Sequence, residues 1–380
     1  MKKNLFQIGL VGVLVFSITA CSNSDDNAPI INDVVAPDSY EWLDANGEST
    51  VSFGGQTTRL KQAKEICSMM GSEDADFTTL DRMFNEGMGF ADESLNYFEA
   101  DGVTIQTEKK LANKTLDASR FDALMLEYTT DVLPAYIAGT PAEAGIAGVL
   151  PDGDDIRELN AKGIELDQVF TKGLIGALCG DQIINKYLSE AKIGDDIENT
   201  RSEDGGYTKM EHHWDEGYGY LYGMQPDYTT YNVDNTNGDV LLYKYYAKSN
   251  FSDIQGPMFE AFKTGRQAIT MDADNGGTTL YSAEKMTQAD IVKGYVGHII
   301  GQKAYDYLNG AAVHLEANGD RDGAFFHDLS EGLGFVVALQ ATPQFTADQV
   351  AEMYNTLSEG NGLWDITADE LNAMTSQIST

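Results

Sequence analysis

The chain has 380 residues, with 60 Asp and Glu against 25 Lys and Arg and a formal net charge of −35. A surface this acidic repels phosphate backbones and anionic lipid heads, so no nucleic-acid partner is expected, and cations, cationic peptides or a basic protein patch suit it better. At 42% hydrophobic residues and this length, the chain can bury a sizeable core.

Residues 1–20 read as a secretory signal: Lys2 and Lys3 are followed by a mostly apolar run from Leu5 to Ala20. Ile18-Thr19-Ala20-Cys21 looks like a bacterial lipobox, with Cys21 as the lipidated first residue and the anchor to a membrane. Removing residues 1–20 removes two lysines and no acid, so the mature chain carries −35 − 2 = −37. Ser22-Asn23-Ser24-Asp25-Asp26 resembles acidic export signals of Gram-negative surface lipoproteins. The expected address is the outer membrane, periplasmic or surface-exposed, with the surface favoured. Residues 21–45 read as a flexible tether, and 46–380 as one helical domain.

Helical periodicity dominates from Gly55 onward. It predicts a helix through RLKQAKEICSMM that stops at Gly71, a short one over 77–85 and another over 118–133. A long one covers about 159–193, followed by 206–222, 257–271, 286–309, 322–341, 346–358 and 367–377. Thr346 and Thr367 are placed as N-caps. TVSFGG (50–55) and DVLLYKYY (239–246) are the two segments with strand character, as short strands or extended loops. The expected fold is all-α, a large helical bundle.

Two stretches repeat. Lys172-Gly173-x-x-Gly176-x-x-x-Gly180 returns as Lys293-Gly294-x-x-Gly297-x-x-x-Gly301, followed by INKYL and AYDYL respectively. Each then leads to His-x-x-x-Glu-Gly-x-Gly-aromatic, His212 to Tyr220 and His327 to Phe335. This predicts an internal duplication into two pseudo-symmetric halves, with units near 159–224 and 284–342. Gly176, Gly180, Gly297 and Gly301, with Gly217, Gly219, Gly332 and Gly334, are read as structural glycines that let helix backbones approach. Glu-Gly-x-Gly also occurs at 86–89 and 359–362 without a histidine upstream, so that string has a structural role of its own.

On a helix, His212 and Glu216 share a face, as do His213 and Glu216, and His327 and Glu331. Such pairs on facing helices build carboxylate–histidine metal sites, suited to iron, zinc or manganese. They equally serve as hydrogen-bonded pairs between helices. Asn318, Asp320 and Asp322 fit the start of a calcium loop, but its twelfth position is Leu329, and an Asx-rich turn before a helix accounts for them as well. Cys67 and Cys179 either pair or are small buried residues.

Ser49 to Leu60 (STVSFGGQTTRL) and HHWDEGYGYLYG at 212–223 resemble an uncharacterised family of bacterial lipoproteins with one all-helical domain of unknown function. That family is similar to the imelysin-like, iron-regulated envelope proteins, duplicated helical bundles with a Gly-x-His-x-x-Glu motif. His213-Trp-Asp-Glu216 matches the His-x-x-Glu part; position 211 is Glu where the motif has glycine, and His327 to Glu331 is one residue longer. The resemblance implies an outer-membrane lipoprotein that binds a ligand or a metal, iron or another divalent ion, and works with an outer-membrane transport or iron-uptake component. The alternatives are a metallopeptidase-like hydrolase, or a structural or partner-binding surface protein with no small-molecule site.

Overall fold

The computed structural model describes residues 33–99, 101–202 and 205–379. Within them the chain is mostly helical, in keeping with the expected all-α bundle. Cys21 and the signal segment lie outside the described residues, and among those residues no helix is long and apolar enough to cross a membrane.

Helix α1 (Gly54–Met70) starts five residues before the predicted RLKQAKEICSMM run and ends on Gly71, as expected. Helix α2 (Phe77–Asp81) runs into a π turn and stops at Gly87, whose φ of 70° is left-handed. Helices α3 (Ala118–Glu127) and α4 (Leu133–Ile137) are joined by another π turn. The predicted helix over 159–193 is shorter and broken. Its start belongs to an antiparallel hairpin, β1 (Gly148–Asp152) and β2 (Asp155–Leu159), which turns at Gly153 with φ of 63°. Helix α5 (Leu166–Leu174) then continues as π turns over 175–180 and 182–187 before the single turn α6 (Glu190–Ile193).

Helix α7 (Lys209–Tyr222) opens with a capping box between Thr208 and Glu211. DVLLYKYY is not a strand: it contains α8 (Leu242–Tyr246), buried on most sides by aromatic packing. TVSFGG likewise holds the start of α1. Helices α9 (Ser252–Asp274), α10 (Ser282–Asn318) and α11 (Gly323–Ala338) carry much of the core, and α10 packs against both α9 and α11. Helices α12 (Ala347–Ser358) and α13 (Ala368–Ile378) have Thr346 and Thr367 as N-caps in capping boxes with Gln349 and Glu370.

The tether boundary at residue 45 falls inside packed structure. Tyr40 and Trp42 are buried, and Lys263 Nζ donates to the Pro37 and Asp38 carbonyls at 2.9 and 3.2 Å. Two isolated aromatic residues in polar sequence carry no periodic signal, so this part is illegible without the partner helices.

Cys67 and Cys179 are both free. Gly319 (φ 69°) ends α10, and Asp322 caps α11 by accepting from the Phe325 amide at 2.9 Å. The 318–323 stretch is thus a turn between two helices, with Asp322 engaged as a cap and Asp320 exposed.

Candidate functional site: two histidine–glutamate helices

Helices α7 and α11 carry the repeated string, and the geometry around each starts from its glycines. A side chain at Gly217 would touch Leu188 Cδ2 at 3.1 Å and Tyr187 Cβ at 3.5 Å; one at Gly332 would touch Tyr307 Cβ at 3.0 Å and Leu308 Cδ2 at 3.7 Å. The second glycines face another wall. A Cβ at Gly219 would lie 2.5 Å from Phe53 Cβ and 3.0 Å from Gln56 Cβ, and one at Gly334 would lie 2.6 Å from Lys172 Cβ. The first glycine therefore admits a tyrosine–leucine pair, and the second admits the helix that supplies the glutamate's partner. The aromatic residue that follows stacks on the same tyrosine: Tyr220 on Tyr187 (5.9 Å between ring centres) and Phe335 on Tyr307 (5.8 Å).

The glycines of the other repeated motif behave unequally. Gly176 lies against the Ala338 backbone, and a Cβ at Gly180 would be 3.1 Å from Ile300 Cδ1. Gly297 would meet only Gln344 at 3.4 Å, and Gly301 faces nothing within 4 Å. The expectation of close helix approach thus holds for the first copy and fails at Gly301, because that face of α10 has no helix against it. At 86–90 and 359–363 the glycines are left-handed turn residues, with φ of 70° and 91° at Gly87 and Gly89, and 59° and 62° at Gly360 and Gly362.

On α11, His327 Nδ1 lies 2.6 Å from Glu165 Oε2 and 3.1 Å from Arg157 Nη1. Its Nε2 lies 3.9 Å from Glu331 Oε1. Glu331 is ion-paired at 2.8 Å with the buried Lys172 and accepts from the Tyr307 hydroxyl. The hydrogen bond to Glu165 raises the His327 pKa above its ordinary value, against the effect of burial. Burial pushes the Glu331 carboxyl up, but the Lys172 charge overcomes it and holds Glu331 low. Every charge here has an opposite beside it.

On α7 the same positions are filled differently. Glu216 accepts from the amide of Gln56, a neutral group, at 2.9 Å. His212 Nε2 is 3.9 Å from Glu216 Oε2, and its ring stacks on Tyr207. His213 points elsewhere: its Nδ1 is 2.8 Å from the Lys192 carbonyl at the end of α6, and burial lowers its pKa. Lys114 Nζ donates to the Tyr187 hydroxyl at 3.1 Å. Arg59 lies one turn after Gln56 on α1, and its only side-chain hydrogen bond among the described residues is to the Gly55 carbonyl at 3.3 Å. Arg59 Nε, His212 Nδ1 and the Tyr220 hydroxyl are buried without a partner, three of nine such side-chain atoms among the described residues.

One charged centre on α7 was not visible in the sequence. Glu211 and Asp215 both pair with the fully buried Arg266 of α9, at 2.8 and 3.0 Å. Tyr40 donates to Asp215 at 2.7 Å, and the Ser52 amide donates at 3.1 Å. Burial pushes the Glu211 carboxyl up, but Arg266 and Arg201 hold it down at about 2. The motif stretch HHWDEGYGYLYG thus owes its Asp to a structural ion cluster, joined to the strap at 40–52.

The match that decides the family spans nearly all of this structure: a family model covers residues 37–380. The chain belongs to the family described as Domain of unknown function (DUF4856). No curated protein and no solved structure matches it. The family match begins at Pro37, beside the carbonyls gripped by Lys263, in keeping with a domain that starts before residue 45.

For this DUF4856 chain, the two histidine–glutamate pairs are held by different partners, and no hydrogen bond or ion pair joins them. Among the described residues no group of three or more His, Cys, Asp or Glu side chains is placed to hold a metal ion. The neighbours of both glutamates are cationic: Lys172 beside Glu331, and Arg59, Lys109 and Lys114 about Glu216. Cations beside a carboxylate oppose a metal ion there, so these donors do not fit a resident divalent metal. The signal that would have found Arg59 was present: Gln56 and Arg59 stand at i and i+3 in GGQTTRL, on one face of α1.

Proposed function

We propose that this chain is an outer-membrane-anchored lipoprotein whose helical domain binds a small ligand at the α7 site, around His212, Glu216, Gln56, Arg59 and Tyr220. The observation that carries the reading is that Arg59 Nε and the Tyr220 hydroxyl, both buried without a partner, lie close enough to feel each other beside Glu216, with a third such atom, His212 Nδ1, one turn before Glu216 on the same helix. Buried polar groups are satisfied as a rule, and each orphan costs on the order of 1–3 kcal/mol. The α11 site, closed by Lys172 and Glu165, serves as the structural counterpart. Anchoring rests on the lipobox-like stretch ending at Cys21, and the setting in iron acquisition rests on the resemblance to imelysin-like proteins. An internal duplication is supported by the matched contacts of Gly217 and Gly332 with Tyr187-Leu188 and Tyr307-Leu308.

The test is a melting-shift screen of the mature chain against ferrous and zinc salts, phosphate, citrate, amino acids and simple sugars. At least one probe should raise the melting temperature, and the shift should vanish in the Tyr220→Phe, His212→Ala double variant. Silence across the set leaves a structural surface protein as the better account. Protease shaving of intact cells tests the address: surface display predicts loss of the domain while periplasmic proteins survive.

A further inference from the structure

Helix α1 begins without a cap. Phe53 makes no side-chain bond to it, its first turn holds no acidic residue, and its first two positions are Gly54 and Gly55. A helix start of this kind leaves backbone N–H groups free and carries a partial positive charge. Cations converge on the same turn. A Cβ at Gly55 would lie 3.3 Å from Lys109 Nζ and 3.4 Å from Arg59 Nη1, while Gly54 opens onto free space. Lys114 belongs to the same group, and burial, then Arg59, lowers the pKa of both lysines.

The second observation is Arg59 itself. The residue is 8% exposed, and Nε has no partner. A guanidinium carries five N–H donors and no acceptor, and a buried one ordinarily faces a carboxylate. Arg266 shows the ordinary case, with Glu211 and Asp215 against it. Arg59, Lys109 and Lys114 form no ion pair among the described residues, in a chain with 60 acids and 25 bases. Glu216 is the one acid whose charge is felt by both lysines, and it is already held by Gln56. The buried Tyr220 hydroxyl, without a partner, lies close enough to Arg59 to feel its charge.

We propose that the uncapped first turn of α1, together with Arg59, Lys109, Lys114 and the Tyr220 hydroxyl, binds a small oxyanion carrying two or more negative charges, of phosphate or polycarboxylate type. This rests on the reading of α7 as a ligand site and names the ligand's class. The acidic surface repels such anions at long range, but screening limits that field to about 8–10 Å at physiological salt. Inside the site the local charges decide.

Isothermal titration of the mature chain with inorganic phosphate and with citrate tests the proposal, and comparing the two distinguishes the sources. At least one should bind, and affinity should fall as sodium chloride rises. Arg59→Gln should weaken binding about tenfold or more, the size expected for losing a hydrogen bond between charged groups. Lys109→Gln should weaken it several-fold, and keeps the test valid if the Arg59 variant does not fold. Glu216→Gln should tighten binding, because it removes the resident negative charge; a site that holds a metal through Glu216 would lose its ligand instead. No heat from phosphate or citrate with a folded chain overturns the proposal. If zinc or ferrous iron binds while both anions are silent, the oxyanion class falls and the ligand-site reading stands; if all are silent, both fall.

Discussion

Helices α7 and α11 present the same glutamate, glycines and upstream histidine, yet one site is electrically closed and the other is not. Glu331 meets the ammonium of Lys172, and His327 meets Glu165. Glu216 meets an amide, and the nearby guanidinium of Arg59 meets a single carbonyl. A charge-matched site gains stability from its own pairs and has nothing left over for a ligand. A site with unmatched donors gives up some stability and keeps binding capacity. The difference turns on one position: the second glycine admits Lys172 in one case and Gln56 in the other.

The largest expected effect comes from unmatching the closed site. Lys172→Met takes from the buried Glu331 its hydrogen-bonded ion-pair partner and should cost about 3–5 kcal/mol in urea unfolding. Gln56→Ala should cost only about 1–2 kcal/mol, since Glu216 keeps more access to water. Equal losses would sink the contrast between the sites. Next comes packing: Gly334→Ala places a methyl 2.6 Å from Lys172 Cβ and should destabilise by about 1–3 kcal/mol. Gly301→Ala, with nothing within 4 Å, should stabilise by about 0.5–1 kcal/mol. A loss at both positions would mean that Gly301 also packs closely.

The smallest effect is the pH slope, and its sign differs between the sites. The His327 pKa is raised on folding, so its contribution is complete below the unfolded value near 6.5 and is lost as pH rises through the folded value. The His213 pKa is lowered, so its contribution is complete above about 6.5 and is lost as pH falls through the folded value. Melting temperatures measured from about pH 5 to about pH 9 should show His327→Gln flattening the alkaline fall and His213→Gln flattening the acid fall. Both variants flattening the same limb would contradict the assignment.

Much of the fold was legible because local chemistry agreed with the outcome. Thr346 and Thr367 cap helices because a hydroxyl three residues before Gln349 or Glu370 closes a capping box. The hairpin at 148–159 went unassigned although Pro151-Asp-Gly-Asp is a turn signal, because its two strands, GVLPD and DIREL, are only five residues each and do not alternate apolar with polar. At 239–246 the tyrosines suggested a strand, and burial among other aromatics decided for a helix. Of the candidate site, the histidine–glutamate faces were readable from spacing. Their partners were not, since Gln56, Lys114 and Lys172 come from segments 160, 102 and 159 residues from the glutamates they serve.

The π turns between 175 and 187 bear on how this helix keeps its phase. Lys172 to Tyr187 is 15 residues, whereas Lys293 to Tyr307 on the unbroken α10 is 14. Each residue turns an α-helix by about 100°. One extra residue in a regular helix would carry Tyr187 a quarter turn or more away from Gly217. A widened turn takes up such a residue as a bulge and leaves the rest of the helix in step. The ring of Tyr187 thus stacks on Tyr220 as Tyr307 does on Phe335, although the two chain segments count differently. The wide turns act as slack in the chain, separating how many residues the helix contains from which way its tyrosine faces.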